Sequence, residues 1–493
     1  MSIASDITTV DLDIRRAFAR DASGLEMIPD AVARPTSIEE VTELLREATS
    51  ARTAVTPAGW QSSTTGASIT DHGLLLSLRG LGTIGEADTD TRSIRVGPGA
   101  IVADVRRAAE AAGLLFTPDP TSEEESTIGG AIACNASGAR SLRYGATRPH
   151  VRAITVLLAS GERLDLRRPQ LEKNTVGYPI AHDPVDWFVG SEGTLGIVVE
   201  AELALHALPT QVLGLMVPFE REDDALAFVV SARRSTAVHP RCLEFFDQGA
   251  MDIARAAEGS TGWATNATAM VYVEETGADE AQPDDELPLE AWLELADAHM
   301  ALSADIRVYD SATALREARH LRHAVPATMN ERGTARRPFG GRKVSTDWAV
   351  PYPRLADALH MARRFAADAG VASGIAYGHA GNGHPHQNFI AQDAEELHRI
   401  ERVVEATLRE VIAMGGTVAA EHGIGKLKRR WLPMQASPAH LRVMRAIKRA
   451  LDPQGLLNGG KKVPAERAAG GAAPAQAQAP ELPLFVGAPA CMQ

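Results

Sequence analysis

Two short segments gather groups able to hold a metal or move a proton. Tyr377-Gly378-His379-Ala380-Gly381-Asn382-Gly383-His384-Pro385-His386 sets three histidines within eight residues, among glycines. Ala420-Glu421-His422-Gly423-Ile424-Gly425-Lys426 adds a carboxylate and another imidazole. Satisfied core histidines usually occur singly. Imidazole is the commonest metal ligand, and a carboxylate from elsewhere in the chain completes a site with a position open to substrate. Residue types alone leave two readings, a divalent-metal site and a polar surface loop.

A second kind of chemistry needs backbone rather than side chains. From Gly129 to Gly138 the run GGAIACNASG is built almost wholly of small residues. A core helix gains stability by burying Leu, Ile or Phe, and this stretch forgoes that gain. Pro118 and Pro120 keep the approach extended, Thr127 can cap a helix opening on Gly129-Gly130, and free N–H groups there suit a pyrophosphate. Tight helix–helix packing is the competing reading. Downstream, Gly190-Ser191-Glu192-Gly193-Thr194-Leu195-Gly196-Ile197 spaces three glycines by three between apolar runs. Upstream, Pro57, Gly59, Gln61, Ser62, Ser63, Thr64 and Thr65 form a loop after a short strand at Ala54-Val55, able to aim N–H and hydroxyl groups at a diphosphate. That loop carries no His or Cys, which points to a cofactor held without a covalent bond. Gly97-Pro98-Gly99 is not followed by the third glycine of GxGxxG, so a Rossmann nicotinamide site is disfavoured.

Taken together these segments resemble the FAD-binding flavoproteins related to vanillyl-alcohol oxidase and p-cresol methylhydroxylase. Within them, the chain is most similar to the branch of D-lactate dehydrogenase, the glycolate oxidase large subunit and D-2-hydroxyglutarate dehydrogenase. The patterns DP(S/T)…STIGG…N(A/S)GG…YG and GSEGTLGI recur here with few changes, and the similarity runs from about residue 25 to 463. It implies an α+β fold: a two-lobed PCMH-type FAD-binding domain (1–209), a substrate-capping domain of antiparallel sheet plus helices (210–440) and a segment returning to the FAD domain (441–463). Implied FAD contacts are the 57–65 loop residues above, Pro118, Asp119, Thr127, Gly129, Gly130, Asn135, Ser137, Gly138, Tyr144, Gly145, Glu192, Gly193, Gly196, Ile197 and Asn458. The motifs HxGDGNxH and EHG imply a divalent zinc, manganese or iron at His379, His386 and Glu421, with His422 as base. Asn382 and His384 depart from that pattern, and the role of His384 stays open between metal, substrate and neighbouring charge. Segments like LWxxR and KxDxxxP place Arg319 and Lys343 as carboxylate clamps, with Asn388 beside them.

The implied activity is oxidation of a D-2-hydroxy acid (D-lactate, glycolate or D-2-hydroxyglutarate) to the 2-oxo acid. Electrons would then pass to a quinone, a cytochrome or an electron-transfer flavoprotein. An oxygen-using flavin oxidase, a metal-dependent hydrolase and a non-catalytic flavoprotein subunit are the alternatives. A hydrolase would leave the glycine stretches unexplained, and a subunit without catalysis would not need the His/Glu segments.

Composition agrees with an enzyme of this kind. A chain of 493 residues exceeds one ordinary core. A formal charge of −13 without a basic stripe disfavours nucleic acid as partner. Cys134, Cys242 and Cys491 make no CxxC pair, which excludes a self-contained iron–sulfur cluster. The N-terminal residues lack a secretory apolar run, so a cytoplasmic location is expected, with peripheral membrane attachment and a homodimer both compatible. Residues 274–295 read as an acidic, solvated loop and helix face, and 464–493 as a disordered Ala/Pro-rich tail.

Overall fold

The computed structural model describes residues 7–175, 183–277, 287–372 and 374–464. Val176-Gly177-Tyr178, the middle of the acidic stretch and the Ala/Pro-rich tail beyond Pro464 therefore lie outside the described residues.

The N-terminal half contains two four-stranded sheets. The first runs, in spatial order, Thr8–Thr9, Ala31–Ala33, Leu74–Ser77 and Val55–Ala58, with the last three parallel. Parallel neighbours need a crossover, and the helix Ile38–Ala51 supplies it. Its Val41, Leu44, Leu45 and Ala48 recur at helical spacing and are buried, and Ser37 Oγ accepts a hydrogen bond from Glu40 N at 3.2 Å to start the helix. The second sheet, Ser93–Val96, Ile197–Ala204, Val151–Leu157 and Arg163–Arg167, is antiparallel. It covers a core shared with the helices Val102–Ala111 and Ile128–Cys134.

The glycine-rich helix is shorter than its composition suggested. Thr127 caps it through a 3.2 Å bond from Gly130 N, but Asn135 turns left-handed (φ 52°) and ends it at Cys134. Gly138 lies in the loop beyond. The strand expected at Ala54-Val55 runs instead from Val55 to Ala58.

The C-terminal half is organised by a seven-stranded antiparallel sheet. Its order is Arg307–Tyr309, Leu213–Phe219, Ala269–Glu275, Pro240–Asp247, Ile375–Gly378, His386–Asp393, Gly340–Ser345. Both faces are covered, so the central strands read as nearly unbroken apolar runs such as LGLMVPF. Leu215 and Val217 face the helices Glu222–Arg234, Leu355–Asp368 and Ala394–Ala413, while Met216 faces Gln248–Glu258 and Ala312–Thr334. The acidic stretch was only partly a solvated face. Glu274 and Glu275 end a central strand and are buried, and Trp292 of the helix Leu289–Ala298 is buried as well. Arg140 Nε at 3.1 Å and Arg241 Nε at 2.7 Å balance the Glu274 charge, which makes its burial tolerable.

After the helix Pro438–Leu451 the chain returns to the first sheet. Val55 N donates to Leu456 O and Asn458 N to Val55 O, each at 2.8 Å. Asp452 shapes this segment by accepting from Leu456 N and Leu457 N at 3.0 and 2.7 Å.

Candidate active site

A cavity of about 1260 Å³ lies between the two halves. One wall is the loop after Val55–Ala58 together with the N-terminus of Ile128–Cys134. Pro57, Gly59, Gln61, Ser62, Ser63, Thr64, Thr65, Thr127, Gly129, Gly130, Ser137, Glu192, Gly193, Gly196, Ile197 and Asn458 all line it. Among the described residues, no backbone N–H from Gly59 to Thr64 donates to another protein atom. The two opening glycines of the helix do different work. A Cβ on Gly129 would meet Pro98 Cβ at 2.7 Å, so its smallness permits packing, whereas Gly130 would meet only Thr127 Oγ1 at 3.3 Å and leaves space in the cavity.

Pro118, Asp119, Asn135, Gly138, Tyr144 and Gly145 do not line this cavity. They shape the wall from behind. Asp119 Oδ1 accepts from Arg140 N at 3.2 Å, and its carbonyl lies where a Gly138 Cβ would stand, 2.1 Å away. Asn135 Oδ1 accepts from Arg148 N at 2.8 Å, Tyr144 O pairs with His150 Nε2 at 2.9 Å, and Gly145 turns the chain at φ 79°.

The opposite wall carries His386, Glu421 and His422, with His379 and His384 beside them but not lining the cavity. One ligand atom each from His379, His384, His386 and Glu421 lie within 4.8 Å of one another. Glu421 Oε2 is 3.3 Å from His379 Nε2, and its Oε1 is 3.3 Å from His386 Nε2 and 3.1 Å from His422 Nε2. Ser137 Oγ of the glycine-rich loop donates to Glu421 Oε2 at 3.1 Å, tying the two walls together. Behind the cluster, Glu244 Oε1 sits 2.6 Å from His379 Nδ1, which turns the other ring nitrogen toward Glu421. A carboxylate on the far nitrogen is the usual support for a metal-bound histidine.

The electrostatics fit a cation. Burial opposes the charged form of His379, but Glu244 and then Glu421 outweigh it and carry its pKa up to about 10. Burial, resisted by Glu421 and reinforced by the neighbouring histidines, holds His386 well below its ordinary value, as a neutral ring with a lone pair to give. Against the effect of burial, His379 and His384 keep the Glu421 carboxyl well below the usual carboxylate range. His379, His386 and the Glu421 carboxylate thus meet at a position that favours positive charge, with Glu244 adding its charge from behind His379.

His422 is positioned by Asp347, a residue for which the sequence suggested no role. Asp347 Oδ1 accepts from Glu421 N at 3.2 Å and Oδ2 from His422 N at 3.1 Å, while Lys428 Nζ pairs with the same carboxylate. The His422 ring stacks on His386, centroids 5.5 Å apart, with Nδ1 3.4 Å from Asp347 Oδ1. Burial lowers its pKa, but Asp347 and Glu421 raise it further, so the net direction is upward. From the other lobe, Glu192 Oε1 and Oε2 accept from Ile424 N and Gly425 N at 2.8 and 2.7 Å. A side chain on Gly423 would strike that carboxylate, its Cβ 2.9 Å from Oε1. Glu192 therefore lines the cavity but spends its carboxylate on the loop that carries Glu421 and His422.

Of the expected carboxylate clamps, Lys343 lines the cavity and Arg319 does not. Arg319 faces a separate space of about 30 Å³ with Nε 3.5 Å from Glu274 Oε1. One helical turn on, Arg322 does line the cavity. Its Nε donates to Glu244 Oε2 at 3.0 Å, and its buried Nη2 has no hydrogen-bond partner among the described residues. The charged helix LREARHLRH offered several arginines, and only the position of its i+3 neighbour picks out Arg322. Asn388 is fully buried and acts indirectly, donating to the hydroxyl of Tyr377, itself a cavity residue, at 2.8 Å.

With the geometry established, comparison with known proteins gives the family. Residues 208–462 match the C-terminal domain of FAD-linked oxidases, and 29–167 match an FAD-binding domain. The chain belongs to the FAD-linked oxidases. Glycolate oxidase subunit GlcD of Bacillus subtilis is 33% identical over 91% of this chain and 92% of its own. A D-lactate dehydrogenase of Anaerostipes hadrus is 29% identical (93% and 95% covered), and a D-2-hydroxyglutarate dehydrogenase of Xanthomonas citri 32% (88% and 89%). In fold, the chain is similar to the structure titled alkyldihydroxyacetonephosphate synthase, with a TM-score of 0.67, 18% identity and coverage of 92% and 83%. The expected α+β fold with a PCMH-type FAD-binding domain stands. No helix among the described residues of this FAD-linked oxidase is long and apolar enough to cross a membrane.

The residues fit FAD. Ser126 Oγ and Asn458 Oδ1 line the cavity and are buried without a partner, and the N–H groups of the 59–64 loop have no protein acceptor, so polar ligand groups are called for along one wall. The volume exceeds the ordinary range for a drug-sized ligand, about 300–1,000 Å³, which leaves room for a dinucleotide.

Proposed function

We propose that this FAD-linked oxidase oxidises a D-2-hydroxy acid to the 2-oxo acid, with non-covalent FAD and a divalent metal at His379, His386 and Glu421. One observation carries the reading: a wall of unpaired N–H groups and small residues faces His386, Glu421 and His422 across a single cavity. When bound, FAD supplies the hydride acceptor and the metal a Lewis acid that lowers the pKa of the substrate hydroxyl.

The chain's own residues bind, orient and take the proton. His422 accepts the hydroxyl proton at a ring nitrogen, and Asp347 and Glu421 favour the imidazolium that results. Asp347 fixes the loop by two backbone bonds, so the ring is held before substrate arrives. The unpaired Nη2 of Arg322 and the ammonium of Lys343 are the donors offered to the substrate carboxylate. Tyr377, held by Asn388, closes the same side. D-lactate, glycolate and D-2-hydroxyglutarate are the substrates to test first, because similar proteins carry each name. A quinone, a cytochrome or an electron-transfer flavoprotein would be the external electron acceptor.

The test is an anaerobic absorbance titration of purified protein with D-lactate, L-lactate, glycolate and D-2-hydroxyglutarate, before and after chelation. Bleaching of the flavin band by a D-acid or glycolate, lost on chelation and restored by metal, is expected. A flavin band bleached by none of these acids would reject the substrate class, and bleaching indifferent to chelation would reject the metal.

A further inference from the structure

The histidine segment departs from its family pattern at His384, and three observations bear on what this residue does. First, the ring centroids of His379, His384 and His386 form a near-equal triangle with sides of 5.4, 5.2 and 4.7 Å. Imidazole nitrogens about 2.0–2.1 Å from a tetrahedral zinc put neighbouring ring centroids about 5 Å apart. Second, His384 is 4% exposed and its Nε2 has no hydrogen-bond partner among the described residues. That nitrogen lies 3.1 Å from Asp347 Oδ1, but without the alignment of a hydrogen bond. Third, Asp347 does not need it, because its carboxylate is already served by Lys428 and by the N–H groups of Glu421 and His422. A buried ring with a nitrogen left without a hydrogen bond, and with a ligand atom within 4.8 Å of those of His379, His386 and Glu421, calls for a partner the protein does not supply.

We infer that His384 is a protein ligand of the metal, so that the ion is held by three imidazoles and one carboxylate, His379, His384, His386 and Glu421. This rests on the metal site proposed above and specifies it further, the substrate hydroxyl then entering as a fifth donor. The local backbone supports the arrangement: His386 opens the strand His386–Asp393, and a tight turn through Gly383 (φ 68°) brings His384 back, its N–H bonded to His379 O at 3.1 Å. A side chain on Gly383 would collide with Val350 O, its Cβ 2.0 Å away, so the turn is fixed by a close approach. Nitrogen-rich donor sets suit zinc over manganese, whereas carboxylate and water suit manganese. The third imidazole therefore favours zinc over manganese.

The test is made on the full-length protein with zinc or manganese as the only added ligand. X-ray absorption of the zinc-loaded wild type should count three imidazoles, and two would overturn the inference without recourse to any variant. In competition with a chromophoric chelator, His384→Asn should raise the zinc dissociation constant at least about 10-fold, the lower bound for losing even a residue that only supports a ligand. The variant's preference for zinc over manganese should shrink as well. Unchanged affinity and preference in a variant that keeps its flavin spectrum would also overturn the inference. A wild type that holds neither metal rejects the proposed site itself, a failure seen in metal content before ligands are counted.

Discussion

Glu192→Gln separates the lobe contact from the chemistry it supports. The wild-type carboxylate accepts two buried N–H bonds, from Ile424 and Gly425, and lies 3.3 Å from Lys462 Nζ. Glutamine keeps one acceptor oxygen and turns an NH₂ group toward the other donor. One charge-assisted bond is then lost, at about 1.5–3 kcal/mol, and the second falls to the neutral range of about 0.5–1.5 kcal/mol. The loop should open locally at a cost lower by roughly 2–4 kcal/mol, and every 1.4 kcal/mol is tenfold. Hydrogen–deuterium exchange of the FAD-loaded protein should show the amides of Ile424 and Gly425 exchanging roughly 30- to 1,000-fold faster. Amides in the strand Leu213–Phe219 should not change. Turnover should fall as well, because Glu421 and His422 sit on the loosened loop. Exchange at Ile424 and Gly425 within about threefold of wild type would refute the reasoning.

Other expectations follow from the same geometry. His422→Ala should lower turnover by about 10²–10⁴ while the flavin spectrum persists; unchanged turnover removes His422 from the proton transfer. Glu244→Gln should weaken metal binding about 10–100-fold by loosening His379, read by chelator competition. Burial lowers the Lys343 pKa to about 8, so this group loses its proton as pH rises through that value in the free enzyme. KM for a hydroxy acid should be flat below about pH 8 and climb above it, and Lys343→Arg should abolish the climb. Gly130→Leu should cut bound flavin, measured as the ratio of visible to 280 nm absorbance, because its Cβ meets only Thr127 and the added side chain enters the cavity. Full occupancy in that variant would place FAD elsewhere.

Much of this site could be read from local sequence because its chemistry is local. The helix Ile38–Ala51 ahead of the 57–65 loop has an unambiguous apolar period, and His379, His386, Glu421 and His422 stand out by type and density. What escaped is set by pairing across hundreds of residues. Asp119 and Gly138 belong to a loop that looks cofactor-bound in one dimension, yet they pack on each other behind the wall. Arg319 and Arg322 are equivalent by composition, and only the position of Glu274 against Glu244 shows which faces the cavity. Glu192 looked like a flavin contact because it sits in a glycine motif, and its partners lie 232 and 233 residues away. Glu274 looked solvated because the arginines that neutralise it are remote in sequence.

The return of Leu456 and Asn458 to Val55 also constrains the order of events during synthesis. The edge of the first sheet, and the Asn458 amide that bonds Ala67 O and Glu192 O at 3.0 and 2.7 Å, complete the cofactor wall only once the far end of the chain has emerged. At about 5–20 residues per second, a ribosome needs roughly 20–80 s to travel between the two partners. During that interval the nascent first lobe has an open strand edge and an unfinished wall. Flavin capture is thereby deferred until Asn458 has been made, and a chain cut short before Asp452 should emerge colourless however well its first two hundred residues fold.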